Sequence, residues 1–112
     1  MQNRKSLDWA LVQNDDKITL RLSGELSRDT LLPLWRQRSS FLSAEKIENR
    51  DVIWDLAEIS RIDSAGFALL CDFIHYCQTL NVRSQRMKDV PVQLETLADL
   101  FGLTDWVKSF YL

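Results

Sequence analysis

The sequence predicts an α/β domain of four strands with helices packed on the sheet, in the order β-β-α-β-α-β-α. Three observations carry that expectation. Short β-type runs alternate with longer stretches in which apolar residues recur at helical spacing. One run, "DVIWDL" at 51–56, has Val52, Ile53 and Trp54 consecutive, as a fully buried strand would. The chain has 112 residues, 46% of them hydrophobic and 27% charged, which suffices for one core and not for two.

The elements follow in order. "LDWALVQ" and "KITLRLS" read as a hairpin around the turn-forming "NDD". In the second run Ile18, Leu20 and Leu22 alternate with Thr19, Arg21 and Ser23, so one face is buried and the other is wet. "SGELSRD" is expected to break that strand, with Ser27 or Asp29 capping a helix through "TLLPLWRQRSSFL" that tolerates Pro33 in its first turn. "DVIWDL" is then a central strand covered on both faces, with Trp54 in the core. A helix from Ser64 to Leu80 follows, its stripe formed by Phe67, Leu70, Ile74 and Cys77 and widened by Leu69, Phe73, Tyr76 and Leu80. "NVRSQRM" is polar enough only for an edge strand. "VPVQLETLADLF" sets Val90, Leu94, Leu97 and Phe101 on one helical face with Gly102 as C-cap, and "TDWVKSFYL" adds a short terminal helix. The opening "MQNRKS", residues 1–6, reads as a disordered extension.

Several function classes are excluded. A net charge of −2 and a pI near 5.3 leave no basic face for nucleic acid, and Arg36/Arg38 and Arg83/Arg86/Lys88 read as solvated surface. No run of 18 apolar residues spans or inserts into a membrane, and the N-terminus lacks a secretory core. Cys71 and Cys77 lie too far apart on one helix for a disulfide and read as reduced, buried thiols of a cytoplasmic protein. Metal-ligand spacing, nucleotide-phosphate loops and a G-x-S-x-G elbow are absent, so no cofactor, metal or catalytic residue is expected, and the single histidine, His75, reads as a helix-surface residue. Asp15/Asp16 and Asp51/Asp55 mark a turn and strand ends.

The informative stretch is "DLAEISRIDSAGFALL", residues 55–70. Asp63 or Ser64 can cap the helix that starts there, and Gly66 lets its backbone pass close to a neighbour. Capping accounts for the Asp and the Ser. It does not account for a platform of small residues that leaves a hydroxyl unobstructed.

This stretch resembles the signature of STAS domains, the family of anti-sigma factor antagonists and of cytoplasmic domains of sulfate transporters. Asp55, Leu56, Ile62, Asp63, Ser64, Gly66 and Leu70 fit its pattern. "LSGELSRDTLLPLW" at 22–35 and "LETLADLFGL" at 94–103 are similar to one subfamily, the small STAS subunits of the bacterial phospholipid-trafficking ABC transporter that maintains outer-membrane lipid asymmetry. "NVRSQRMKDVPV" departs from it, being longer and more polar. The resemblance implies a single STAS domain over residues 1–112 with a mixed sheet and no catalysis of its own. It also implies a partner surface made by Asp63, Ser64, Ala65 and Gly66, with Trp35 added near Ser64 by the "LLPLW" match. The implied partner is the transporter's ATPase subunit and, through it, the membrane permease, which makes the chain peripheral to the inner membrane on its cytoplasmic side. In many STAS domains the residue at the Ser64 position is phosphorylated by a partner kinase. The alternative is therefore an anti-sigma factor antagonist switched at Ser64 by a phosphate of about −1.5 to −2 charge.

Overall fold

In a computed structural model, which describes residues 6–112, strands β1 (Leu7–Asn14) and β2 (Lys17–Leu26) form the expected hairpin. They pair antiparallel without interruption from Leu7↔Gly24 to Asn14↔Lys17. Asp15 makes the turn in the left-handed region at φ 55°, which a short polar side chain tolerates. Strand β2 does not end at "SGELSRD". It runs on to Leu26 because β3 (Asp51–Ile62) keeps pairing with it, through Gly24↔Ile59, Glu25↔Arg61 and Leu26↔Ile62, by way of two register shifts. Residues 1–5 of the expected extension lie outside the described residues, while the Ser6 carbonyl accepts from Glu25 N–H at 2.8 Å.

The four strands lie in the order β1-β2-β3-β4, with β2–β3 and β3–β4 (Ser84–Lys88) parallel. Both parallel crossovers step in the same direction across the sheet. Right-handed connections therefore put their helices on one face. Ile18, Leu20, Leu22, Val52, Trp54, Leu56 and Met87 point into that layer and are buried. On the other face Thr19 and Ile53 are half-buried and Arg21, Arg86 and Lys88 are exposed. Strand β3 is central, as "DVIWDL" suggests, but it is covered on one face rather than two. On the open face Asp55 is nonetheless only 4% exposed. Its Oδ2 lies 3.3 Å from Arg21 Nε, and its Oδ1 accepts from Ala57 N–H at 3.1 Å.

The segment expected as one helix from Thr30 to Leu42 is three short ones: α1 (Leu31–Arg36), α2 (Arg38–Phe41) and α3 (Ala44–Ile47). Breaks at Gln37 and Leu42 let Leu34, the adjacent Phe41 and Leu42, and Ile47 all reach the core, which one straight helix does not do. Neither Ser27 nor Asp29 is the cap. Thr30 holds that position and turns its hydroxyl back to donate to Glu25 O at 2.6 Å. Helix α4 (Ser64–Thr79) follows the expected stripe, burying Phe67, Leu70, Phe73, Ile74 and Cys77. Helix α5 (Val92–Leu100) starts after Val90 and buries Leu94 and Ala98, whereas Phe101 is 50% exposed. It ends as expected at Gly102, φ 72°, with Gly102 N–H on Asp99 O and Leu103 N–H on Ala98 O, the paired bonds of a Schellman motif. Helix α6 (Thr104–Lys108) completes the chain.

Strand β4 is an edge strand only in the first instance. Its start is tied by Asp51, which accepts from the Arg83 guanidinium and from the Ser84 hydroxyl, and these bonds hold the carboxyl well below the usual range. Met87 N–H donates to Phe110 O at 2.6 Å and Leu112 N–H donates to Met87 O at 3.0 Å, so the segment 110–112 pairs with the outer side at Met87.

The buried Gln85 joins three elements: its Oε1 accepts from Trp54 Nε1–H at 2.9 Å and its Nε2 donates to Ile74 O at 2.9 Å. Gln85→Ala strands the Trp54 donor inside the core. We expect a loss of about 2 kcal/mol in urea unfolding, and a change below about 0.5 kcal/mol would show that the bridge is not structural.

Candidate functional site

The C-terminal ends of β2 and β3 meet at Leu26↔Ile62, and the chain turns directly from Ile62 into α4. Asp63 makes that turn. Its backbone is extended (φ −108°, ψ −178°), its N–H donates to Leu26 O at 3.3 Å, and its carbonyl accepts from Phe67 N–H at 2.9 Å. One carboxylate oxygen, Oδ1, accepts from Gly66 N–H at 2.8 Å and caps α4. The other, Oδ2, accepts from the backbone N–H of Arg28 at 3.1 Å. A single side chain thus binds the start of α4 to the loop between β2 and α1.

Gly66 fits the same contact from the other side. A Cβ at this position would stand 2.0 Å from Leu26 O, so only glycine lets α4 approach the end of β2 this closely. Asp63 takes the capping role, and Ser64 therefore does not. Ser64 is the first residue of α4, exposed, and its hydroxyl has no hydrogen-bond partner among the described residues. Ala65 beside it is half-buried. Asp63, Ser64 and Ala65 are together one small surface with a free hydroxyl at its centre, and Gly66 is buried behind it.

Trp35 is elsewhere. It is half-buried, its ring edge-on to Phe73 at 5.2 Å and to Tyr76 at 6.4 Å, with the Arg38 guanidinium 4.0 Å above it. Phe73 stands about 13 Å along α4 from Ser64 at 1.5 Å per residue. Trp35 belongs to the α1–α4 seam and not to the turn. Leu32, 46% exposed, lies at the start of α1, four residues after the Arg28 amide that Asp63 holds. Sequence reasoning missed Leu32, because nothing in "TLLPLW" shows which of two adjacent leucines faces out.

On the opposite flank of α4 a shallow groove of about 350 Å³ runs from Ser64 past Phe67 and Cys71 to Phe101 and Leu103. Phe67 and Phe101 stack at 6.0 Å with planes 12° apart, so the exposed Phe101 ring has one face covered. An apolar hollow of about 250 Å³ between Cys71, His75, Leu103 and Trp106 continues it. Both cysteines are free. Burial pushes the Cys77 thiol up to about 12, and burial with Asp72 nearby pushes Cys71 up to about 11. Both are thiols, not thiolates, at neutral pH. His75 packs on Trp106 at 5.8 Å, about 16 Å along α4 from Ser64 at 1.5 Å per residue, so the two form no nucleophile–base pair. Among the described residues no three His, Cys, Asp or Glu side chains group to hold a metal ion, and no helix is long and apolar enough to cross a membrane.

Residues 9–109 match the family model described as "Mlab, STAS domain". The intermembrane phospholipid transport system binding protein MlaB of Haemophilus influenzae is 57% identical over 104 residues, which cover 93% of this chain and 98% of that protein. Its counterpart in Escherichia coli K12 is 41% identical over 101 residues, 88% of this chain and 91% of that one. In fold the chain is similar to an anti-sigma factor antagonist from Mycobacterium paratuberculosis, with a TM-score of 0.71 at 15% identity over 95% of this chain and 86% of the other.

The division of labour at the turn can be measured. Asp63→Ala removes the α4 cap and the Arg28 anchor together and is expected to cost about 1–2 kcal/mol in chemical unfolding. Ser64→Ala is expected to stay within about 0.5 kcal/mol of wild type, since it removes no internal bond. Equal losses from the two variants would mean that Ser64 shares the capping.

Proposed function

The chain belongs to the MlaB family of STAS domains, and from that membership we propose that it is the binding subunit of an intermembrane phospholipid transport system, docked through the Ser64 turn on the cytoplasmic ATPase of the ABC transporter. The names its relatives carry supply the system. The single observation that supports the contact is the state of the turn: the Asp63 carboxylate is held by the Gly66 and Arg28 amides, while the exposed Ser64 hydroxyl beside it has no partner among the described residues. Such a surface is already in its binding shape, so a partner spends little binding energy on ordering it. Asp63, Ala65 and Gly66 frame the hydroxyl. Leu32 and the half-exposed Trp35 extend the contact along α1.

In this reading the subunit performs no chemistry and carries no cofactor. It works by mass action, raising the population of folded, assembled ATPase in proportion to its own free concentration. Through the ATPase it is tethered to the membrane permease, and so lies at the cytoplasmic side of the inner membrane.

The switch reading has less behind it. The likeness to the anti-sigma factor antagonist is one of fold. A phosphate on Ser64 would also sit beside Asp63, whose like-charged carboxylate already takes the Gly66 amide at the helix start.

The test is capture from the native host with tagged wild type and Ser64→Arg, read by mass spectrometry alongside the melting temperature of each variant. Wild type is expected to bring down an ABC ATPase, and Ser64→Arg at least tenfold less of it with an unchanged melting temperature. Equal capture by both would move the contact off the turn. Capture of a kinase-type anti-sigma factor in place of the ATPase would overturn the transport reading.

A further inference from the structure

A sheet edge presents a row of unpaired N–H and C=O groups, and proteins normally block it with Lys, Pro, a bulge or a covering segment. The two edges of this sheet differ in that respect. The outer side of β4 is occupied at Met87 by the segment 110–112, through a parallel bridge between Met87 and Tyr111. Among the described residues nothing pairs with the outer side of β1. Its sequence, LDWALVQN, contains no Lys, Arg, Pro or Gly, its ladder to β2 is free of bulges, and Asp8 is its one charge. Apolar groups crowd this edge: Leu7, Trp9 and Leu11 are half-buried on the helix side and Val12 is 52% exposed on the other.

From the occupied β4 edge and the bare β1 edge we infer that two copies of this chain associate by pairing β1 with β1, antiparallel across a two-fold axis, into one continuous sheet. The occupied edge decides the partner. A β1-to-β4 contact would propagate head to tail, but the segment paired at Met87 blocks it. The β1-to-β1 contact is self-complementary and ends at the dimer.

The register follows from the pleat. Residues directly opposite one another share a face, so each pairs with one of its own parity. Centring the ladder on Ala10 sets Trp9 opposite the second copy's Leu11 twice on the helix side, Asp8 opposite Val12, and Leu7 opposite Gln13. No like charges meet, and two small alanines face each other at the axis. A ladder centred on Leu11 leaves Trp9 opposite Gln13, and one centred on Trp9 uses less of the strand. Strand β2 separates this edge from the end of β3 that leads to Ser64, so pairing leaves the docking turn open.

Sedimentation equilibrium on the purified chain, from micromolar to several hundred micromolar, tests this. The expected mass rises toward twice 13.1 kDa, and Ala10→Lys, which sets like charges against each other at the axis, holds it at one chain with an unchanged melting temperature. Independently, Ala10→Cys in a Cys71→Ser background is expected to form a disulfide-linked dimer under mild oxidation. Val12→Cys is expected not to, because its two copies stand about 13 Å apart along the ladder. A single-chain mass at every concentration overturns the inference. So does a dimer that Ala10→Lys leaves intact while Ala10→Cys fails to link.

Discussion

The carboxylate of Asp63 is the constraint on which the functional end of this molecule depends. One oxygen starts α4 and the other fixes the loop that leads into α1, so two helices entering the same layer from different strands take their starting points from one side chain. The contact works because α4 begins against the end of β2, and it begins there because Gly66 has no Cβ to meet Leu26 O. The missing side chain at Gly66 is therefore a packing requirement first. The exposed Ser64 hydroxyl stands beside that contact, on the first residue of the helix it positions.

The same economy shapes the sheet. Two right-handed crossovers stepping the same way place every connecting helix on one face, so the core is one layer of side chains between sheet and helices. The other face is left to Arg21, Arg86, Lys88 and the half-buried Ile53. Asp55 shows how a charge survives there: Arg21 covers it and Ala57 N–H satisfies its second oxygen. With Arg21 about half exposed, this pair serves more to satisfy the buried carboxylate than to add net stability.

Much of this was legible in the sequence where the determining contacts are local. The β1–β2 hairpin rests on alternation and a two-residue turn, and α4 on a cap, a stripe and its length. The end of α5 rests on a glycine. Gly66 was readable as a close approach, and Asp63 as one of two possible caps. The remainder depended on contacts distant in the chain. Nothing near Leu22 shows that β3 will extend to Ile62 and carry β2 past Gly24, since parallel register is set by the length of the intervening helices. The break at Gln37 has no Gly or Pro to announce it; it is imposed by the need to seat both Phe41 and Leu42. Trp35 looked like a neighbour of Ser64 because both belong to recognisable motifs, yet the seam it occupies is fixed by Phe73 and Tyr76. Phe101 kept the helical period but passed beyond the last turn of α5, where it stays half exposed and lies over the buried Phe67.

The turn also shows why its hydroxyl is suited to recognition. A nucleophilic serine needs a base within hydrogen-bond reach, and the adjacent carboxylate has both oxygens committed to backbone amides. His75 lies on the same helix several turns away. Recruiting Asp63 as the base would break the cap of α4 and the anchor of the Arg28 loop together. Recruiting the helix N-terminus as an anion site meets the same obstacle, because the Gly66 amide there already holds the Asp63 carboxylate. What remains for a partner is shape, a little apolar surface and one hydroxyl able to donate and accept, held in place by bonds that docking does not disturb.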